Sequence, residues 1–163
     1  HRSRIMKRLH LHITVDDLAA STRFYETLLG VAPDVSRPDY AQWNLDDPSV
    51  NLAISTAGEA RERPAGINHV GLQVTDEDEL ADITARLKAA EQAVFEEKGQ
   101  PCCYAVGEKT WAGDPDGVIW ETFRRTGRAE TMGPDAERDH TIEALRPGAA
   151  PMKTQASGSG CCG

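Results

Sequence analysis

Apolar residues recur at helical spacing after Asp17, where Leu18, Phe24, Tyr25, Leu28 and Leu29 share one face with Ser21, and Gly30 is placed to stop the helix. The stretch leading into it has a look-alike further along the chain. His69-Val70-Gly71-Leu72-Gln73-Val74-Thr75-Asp76 aligns with His10-Leu11-His12-Ile13-Thr14-Val15-Asp16-Asp17, matching the first histidine, the valine and the last aspartate. A second helix is expected behind it. Leu80, Ile83, Leu87 and Ala90 form its apolar stripe, and the acidic run Asp76 to Glu79 suits the positive end of a helix dipole. Short β-type runs follow each helix: Ala41 to Leu45 and Val50 to Ser55, then Val94 to Glu97, Lys109 to Ala112 and Val118 to Phe123. The simplest plan is an α+β chain with βαβββ written twice.

At 163 residues, the sequence fits one compact unit, residues 6–125, followed by a tail over 126–163. Residues 1–5 read as a vector remnant or leader before Met6. From Arg124 the texture turns to Arg, Gly, Pro, Ala and Ser, which predicts a flexible tail with at most a short, weakly packed helix near Asp135 to Leu145. The net charge of −8 argues against nucleic acid or an anionic membrane surface as the main partner. No apolar run approaches the roughly 18 residues that cross a bilayer. A cytoplasmic protein is the expectation.

Four cysteines stand as two adjacent pairs, Cys102-Cys103 and Cys161-Cys162, whereas structural disulfides usually join residues well separated in sequence. Adjacent thiols suit capture of a soft ion, and a reducing cytosol keeps them as a dithiol. Gly99-Gln100-Pro101 should break regular structure, setting Cys102 and Cys103 on a loop or strand start.

Side chains alternate along a strand, so His10 and His12 face one side, as do His69, Gly71 and Gln73. Either His10 or His12 could therefore bind a metal. The repeat register selects His10, because His10 and His69 both lie five residues before the matched valine. His12 becomes a neighbour. The third ligand is Glu121: its run, Val118-Ile119-Trp120-Glu121-Thr122-Phe123, would bury an unpaired carboxylate at high cost unless a cation met it. In the first copy, aligning Asp47-Pro48-Ser49-Val50 with the second turn sets Ala53 opposite Glu121, so the centre has three protein ligands and open positions. Non-haem iron(II) enzymes use that arrangement, and zinc with an open site competes.

Val15-Asp16-Asp17-Leu18 with Ser21, Phe24-Tyr25 and Leu28-Leu29-Gly30, together with Asp114-Pro115-Asp116-Gly117 and Glu121, resembles the vicinal oxygen chelate superfamily over roughly residues 8 to 125. That resemblance implies two tandem βαβββ modules forming a curved mixed sheet around a metal site. It does not fix the reaction, because the superfamily includes isomerases, thiol transferases and dioxygenases. Gln100-Pro101-Cys102-Cys103-Tyr104, with Lys109 and Trp111, is similar to the branch of carbon-arsenic lyases and cadmium-induced proteins. The similarity implies His10, His69 and Glu121 as iron(II) ligands, with zinc, nickel, cobalt or manganese as substitutes. It further implies Cys102 and Cys103 as ligands of a trivalent organoarsenical, with dioxygen as co-substrate.

Tyr104 and Lys109 are weaker candidates for contact with substrate or for lowering a thiol pKa, and Trp111 and Trp120 are candidate pocket walls or core. Besides the lyase, two other classes fit: a cadmium- or arsenite-sequestering protein, and a glyoxalase-like isomerase or thiol transferase. A homodimer is compatible with each.

Overall fold

The structure, a computed structural model, describes residues 7–56, 64–102, 105–128 and 144–145. Its first half runs β1 (Arg8–Thr14), α1 (Leu18–Leu29), β2 (Val35–Arg37), β3 (Tyr40–Asp46) and β4 (Ser49–Ser55). The second runs β5 (Gly66–Gln73), α2 (Glu77–Ala89), β6 (Val94–Cys102), β7 (Ala105–Gly113) and β8 (Ile119–Arg128). The βαβββ plan therefore occurs twice. All strands join one curved eight-stranded sheet in the order β2-β3-β4-β1-β5-β8-β7-β6.

Both helices start where the sequence predicts. Asp17 caps α1 by accepting from the Ala20 amide, and Gly30 closes it with a left-handed φ of 72°. Asp76 caps α2, with Glu77, Asp78 and Glu79 in its first turn and Arg86 and Lys88 in its last. The apolar stripe of α1 is only half used. Leu18, Tyr25 and Leu29 pack against Val15, Ala41, Trp43, Leu52 and Ile54, whereas Phe24 and Leu28 are 59% and 64% exposed.

Several strands depart from expectation. β2 has three residues, too short to show alternation in sequence. β6 continues through the predicted break to Cys102, because Gly99, at φ 68°, takes up a bulge where pairing with β7 shifts. Cys102 is thus the last residue of a strand rather than part of a loop or a strand start. β8 extends to Arg128, past the expected domain end at 125, and Leu145 packs against Trp111 and Ile119. Residues 1–6, the rest of the tail and the Cys161-Cys162 pair lie outside the described residues.

The two faces of the sheet differ in chemistry. Leu11, Ile13, Leu52 and Ile54 point to the helices, so the alternate positions His10, His12, Asn51, Ala53 and Ser55 fall on the opposite, concave face. That face is polar and yet buried: His10, His12, Gln42, Asn51, His69 and Glu121 are each less than 9% exposed. Such a surface needs internal partners for every group.

Candidate metal centre

Strand register assembles the concave site. β1 and β5 pair antiparallel at the middle of the sheet, with His10 opposite Gly71 and His12 opposite His69, and β5 pairs parallel with β8, with Gly71 opposite Glu121. His10, Gly71 and Glu121 thus form one row across three strands. Gly71 supplies the space between them, since a Cβ there would overlap the Glu121 carbonyl oxygen. By the same pseudo-symmetry, His12 pairs with Ala53 in the first module, which makes Ala53 the counterpart of Glu121.

Three donor atoms converge above this row. His10 Nε2 lies 3.2 Å from His69 Nε2, His10 Nε2 lies 3.4 Å from Glu121 Oε2, and His69 Nε2 lies 2.7 Å from the same oxygen. For a metal bound at ~2.1 Å, octahedral cis donors stand about 3.0 Å apart and tetrahedral donors about 3.4 Å apart. The observed triangle fits either geometry on one face of an ion.

Tautomer choice strengthens the fit. His10 Nδ1 lies 3.0 Å from Asn51 Oδ1, whose amide is fixed by donating to Gln73 Oε1 at 3.0 Å. His69 Nδ1 lies 2.8 Å from Asn68 Oδ1, whose amide donates to Thr14 Oγ1 at 3.2 Å. An amide oxygen only accepts, so each Nδ1 carries the proton and each Nε2 presents a lone pair. Two lone pairs and a carboxylate oxygen therefore face one another in a buried site. A cation at their centre relieves that repulsion.

The protonation states agree. Burial pushes His69 down to about 3, against the opposing pull of Glu121. Burial alone would raise Glu121, but the Lys109 charge beside it, with His10 and His69 also adjoining, outweighs that effect and holds the carboxyl well below its usual range. The site thus offers a neutral His69 imidazole and a carboxylate, as metal binding requires. Lys109, on β7, places Nζ 2.6 Å from Glu121 Oε1 and leaves Oε2 toward the histidines.

The site has neighbours of its own. His12 contributes a third imidazole, with ring nitrogens of His10, His12 and His69 lying within 4.8 Å of one another. Its Nε2 lies 2.7 Å from Ser55 Oγ. Trp111 is buried edge-on to His69 at 5.0 Å and donates to Glu97 Oε2 at 2.8 Å, whereas Trp120 is 37% exposed. A cleft opens over the donors, lined among others by His10, Tyr40, Val106, Lys109, Glu121, Phe123 and Arg125.

The end of β6 that carries Cys102 runs beside the strand that borders this cleft. Pro101 and Cys102 pair with Val106 and Ala105 across the β6–β7 ladder, and Val106 lines the cleft. Cys103 and Tyr104 lie outside the described residues. No pattern in the sequence singles out Asn51, Asn68, Phe123 and Arg125. Asn68 adjoins His69 in sequence, but Asn51 meets His10 only through the β1–β4 pairing, 41 residues away.

Known proteins place the chain. Residues 7–122 match the glyoxalase/bleomycin resistance protein/dioxygenase superfamily. A trivalent organoarsenical cleaving enzyme of Thermomonospora curvata is 38% identical over 128 residues, covering 78% of this chain and 83% of that one. The cadmium-induced protein CadI of Mycobacterium bovis is 31% identical over 142 residues, covering 85% and 89%. Among solved structures, a variant of homoprotocatechuate 2,3-dioxygenase from Brevibacterium fuscum shares the fold at TM-score 0.58 and 17% identity, covering 82% of this chain and 36% of that one. The Mn(II)-bound glyoxalase from Novosphingobium aromaticivorans does so at 0.53 and 18%, covering 77% and 43%. With paired βαβββ modules and this similarity on both counts, the chain belongs to the glyoxalase/bleomycin resistance protein/dioxygenase superfamily, in the branch that holds the organoarsenical cleaving enzymes and CadI.

Proposed function

We propose that this protein is an iron(II)-dependent enzyme that uses dioxygen to cleave the carbon-arsenic bond of trivalent organoarsenicals, releasing arsenite. The observation that carries the reading is the meeting of His10 Nε2, His69 Nε2 and Glu121 Oε2 beneath an open cleft, in a chain 38% identical to an enzyme named for that cleavage. Methylarsenite and trivalent aryl arsenicals are the substrate class, and the reducing cytoplasm is the compartment that keeps the thiols available.

In this reading His10, His69 and Glu121 hold the metal, and Cys102 and Cys103 hold the arsenic. Trivalent arsenic is soft, so two thiols displace its two hydroxyl groups as water and leave the carbon substituent attached. The thiol pair thereby fixes the carbon within the cleft, converting an encounter into a positioned reaction. When bound, iron(II) supplies the electrons through which dioxygen becomes reactive toward that carbon. Phe123 and Tyr40 wall the site against bulk water, and Lys109 keeps the Glu121 carboxylate turned so that Oε2 alone faces the donors.

The test is arsenite release. Iron(II)-loaded protein with reduced thiols, given methylarsenite in air, should form arsenite, and Cys102→Ala or Cys103→Ala should abolish it. No release from the loaded wild type would overturn the reading. Similarity to CadI favours a second one, sequestration of cadmium or arsenite by the same thiols. Stoichiometric binding without product marks that case. Turnover that needs no oxygen and survives both cysteine substitutions marks a glyoxalase-like isomerase or thiol transferase.

A further inference from the structure

One imidazole of the site stands outside the donor triangle. His12 is 7% exposed, lines the cleft beside His10 and Glu121, and sets a ring nitrogen within 4.8 Å of ring nitrogens of both His10 and His69. The repeat explains its place. His12 on β1 corresponds to Gly71 on β5, each two residues after the matched histidine. On β5 a side chain is excluded there, because a Cβ would overlap the Glu121 carbonyl oxygen. On β1 the residue paired with His12 in the β4 register is Ala53, whose methyl group occupies the place that Glu121 fills in the second module. An imidazole fits over a methyl group, so β1 carries at His12 a donor that β4 lacks at Ala53.

Ring spacing separates a bystander from a ligand. A nitrogen about 2.1 Å from an ion puts its ring centre about 3.2 Å away, so octahedral coordination sets ring centres about 4.6 Å apart for adjacent imidazoles and about 6.5 Å apart for opposite ones. Tetrahedral coordination would set every pair about 5.3 Å apart. The His69 ring centre lies 5.2 Å from that of His10 and 4.9 Å from that of His12, and the His10 and His12 centres lie 6.3 Å apart. Two shorter distances and one longer one follow the octahedral pattern, with His10 and His12 on opposite sides and His69 adjacent to both. Each ring is also held from behind by a side-chain oxygen: His10 by Asn51, His69 by Asn68, and His12 by Ser55 Oγ at 2.7 Å from Nε2. A hydroxyl oxygen accepts an N–H as an amide oxygen does, and in that tautomer His12 Nδ1 carries the lone pair.

We infer that His12 is a fourth protein ligand of the metal, which makes the centre a site of three histidines and one carboxylate. The inference rests on the metal donors proposed above and not on the arsenical chemistry. His69 and Glu121 lie on neighbouring corners of the ion, with Nε2 and Oε2 2.7 Å apart. With His10 and His12 opposite each other, the two corners left open are those facing His69 and Glu121, and these are adjacent. The third imidazole therefore adds affinity for imidazole-binding divalent metals and still leaves room for two further ligands side by side.

The experiment counts imidazoles on cobalt(II), added to the full chain as the probe metal. Each imidazole bound to cobalt keeps one N–H, whose proton gives a strongly shifted NMR signal that disappears in D2O. The wild type should show three such signals, and His12→Ala should show two. His12→Phe, which fills the space without a donor, should also show two and guards against a folding defect of the smaller variant. Competition against a chromophoric chelator should find cobalt bound at least about tenfold more weakly in both variants, no less than the loss that follows removal of a hydrogen-bond partner of a metal-bound histidine. Two signals in the wild type, or three in either variant, would overturn the inference. Failure of the wild type to take up cobalt would overturn it together with the metal centre. Arsenite release plays no part in the readout, so three signals in a protein that releases none would reject the proposed reaction and leave the fourth ligand standing.

Discussion

Lys109 and Glu121 form a buried ion pair in which Nζ lies 2.6 Å from Oε1, while Oε2 of the same carboxylate turns to His69 at 2.7 Å. The two oxygens thus serve different partners. Lys109 keeps Glu121 ionised without metal and steers it to offer a single oxygen, which preserves open positions on an ion.

Replacing Lys109 with Met should therefore destabilise the metal-free protein by about 3 kcal/mol, the usual cost of leaving one member of a buried pair uncompensated. Added divalent metal should recover much of that loss, because a cation at the donor triangle replaces the missing counter-charge. Denaturant unfolding of both proteins, with and without metal, measures this. Equal destabilisation in the two conditions would show that Lys109 acts apart from the donors.

Asn68 and Asn51 hold the imidazoles from behind. Asn68→Ala removes the acceptor of His69 Nδ1 and should weaken metal affinity roughly tenfold or more, the range found when hydrogen-bond partners of metal-bound histidines are lost. Asn51→Ala should act similarly through His10. Competition against a chromophoric chelator gives the affinities, with circular dichroism as the check on folding. Unchanged affinity in both variants would assign the asparagines to sheet structure alone.

Much of this was legible in the sequence for a physical reason: a repeated module places equivalent residues at equivalent sites. His10 and His69 stand out because the repeat aligns them, and Glu121 because a carboxylate within an apolar run demands a partner. The same alignment set Ala53 against Glu121, as the strand registers do. Illegible features depend on contacts between strands far apart in sequence. Nothing near Lys109 points to Glu121, its partner across β7 and β8, and nothing near Asn51 points to His10. Helical spacing also could not tell which apolar residues of α1 would be covered, so Phe24 and Leu28 read as core but face outward. Gly99-Gln100-Pro101 reads as a break, yet a bulge lets the strand run through it.

Gly71 makes a sharper test of how the row is built. Gly71→Ala would drive a methyl group into the Glu121 backbone and push β8 away from β5. The expected cost is about 1–3 kcal/mol for overpacking, together with loss of metal binding, since Glu121 would move from the histidines. Ala at Gly30, where a Cβ meets nothing within 4 Å, should cost only its left-handed backbone strain and leave metal affinity intact. Thermal unfolding and metal titration of both variants separate the two cases. Retained affinity in Gly71→Ala would mean that the row tolerates the methyl group.

Acid should weaken the metal-free fold through the same residues. His69 is held near 3 in the folded protein against about 6.5 in the unfolded chain, so below pH 6.5 the unfolded chain binds a proton that the folded protein refuses. Stability from this source is complete above pH 6.5 and falls as pH drops toward 3, with a limiting slope of about 1.4 kcal/mol per pH unit for one proton. Glu121, depressed by Lys109 and the histidines, adds a loss of the same sign below the ordinary carboxylate range. Urea unfolding of the metal-free protein at pH 7, 6, 5 and 4 should show this decline, and His69→Gln, which keeps a polar group but takes up no proton, should flatten it between pH 6.5 and 5. An identical decline in His69→Gln would place the acid sensitivity elsewhere in the fold.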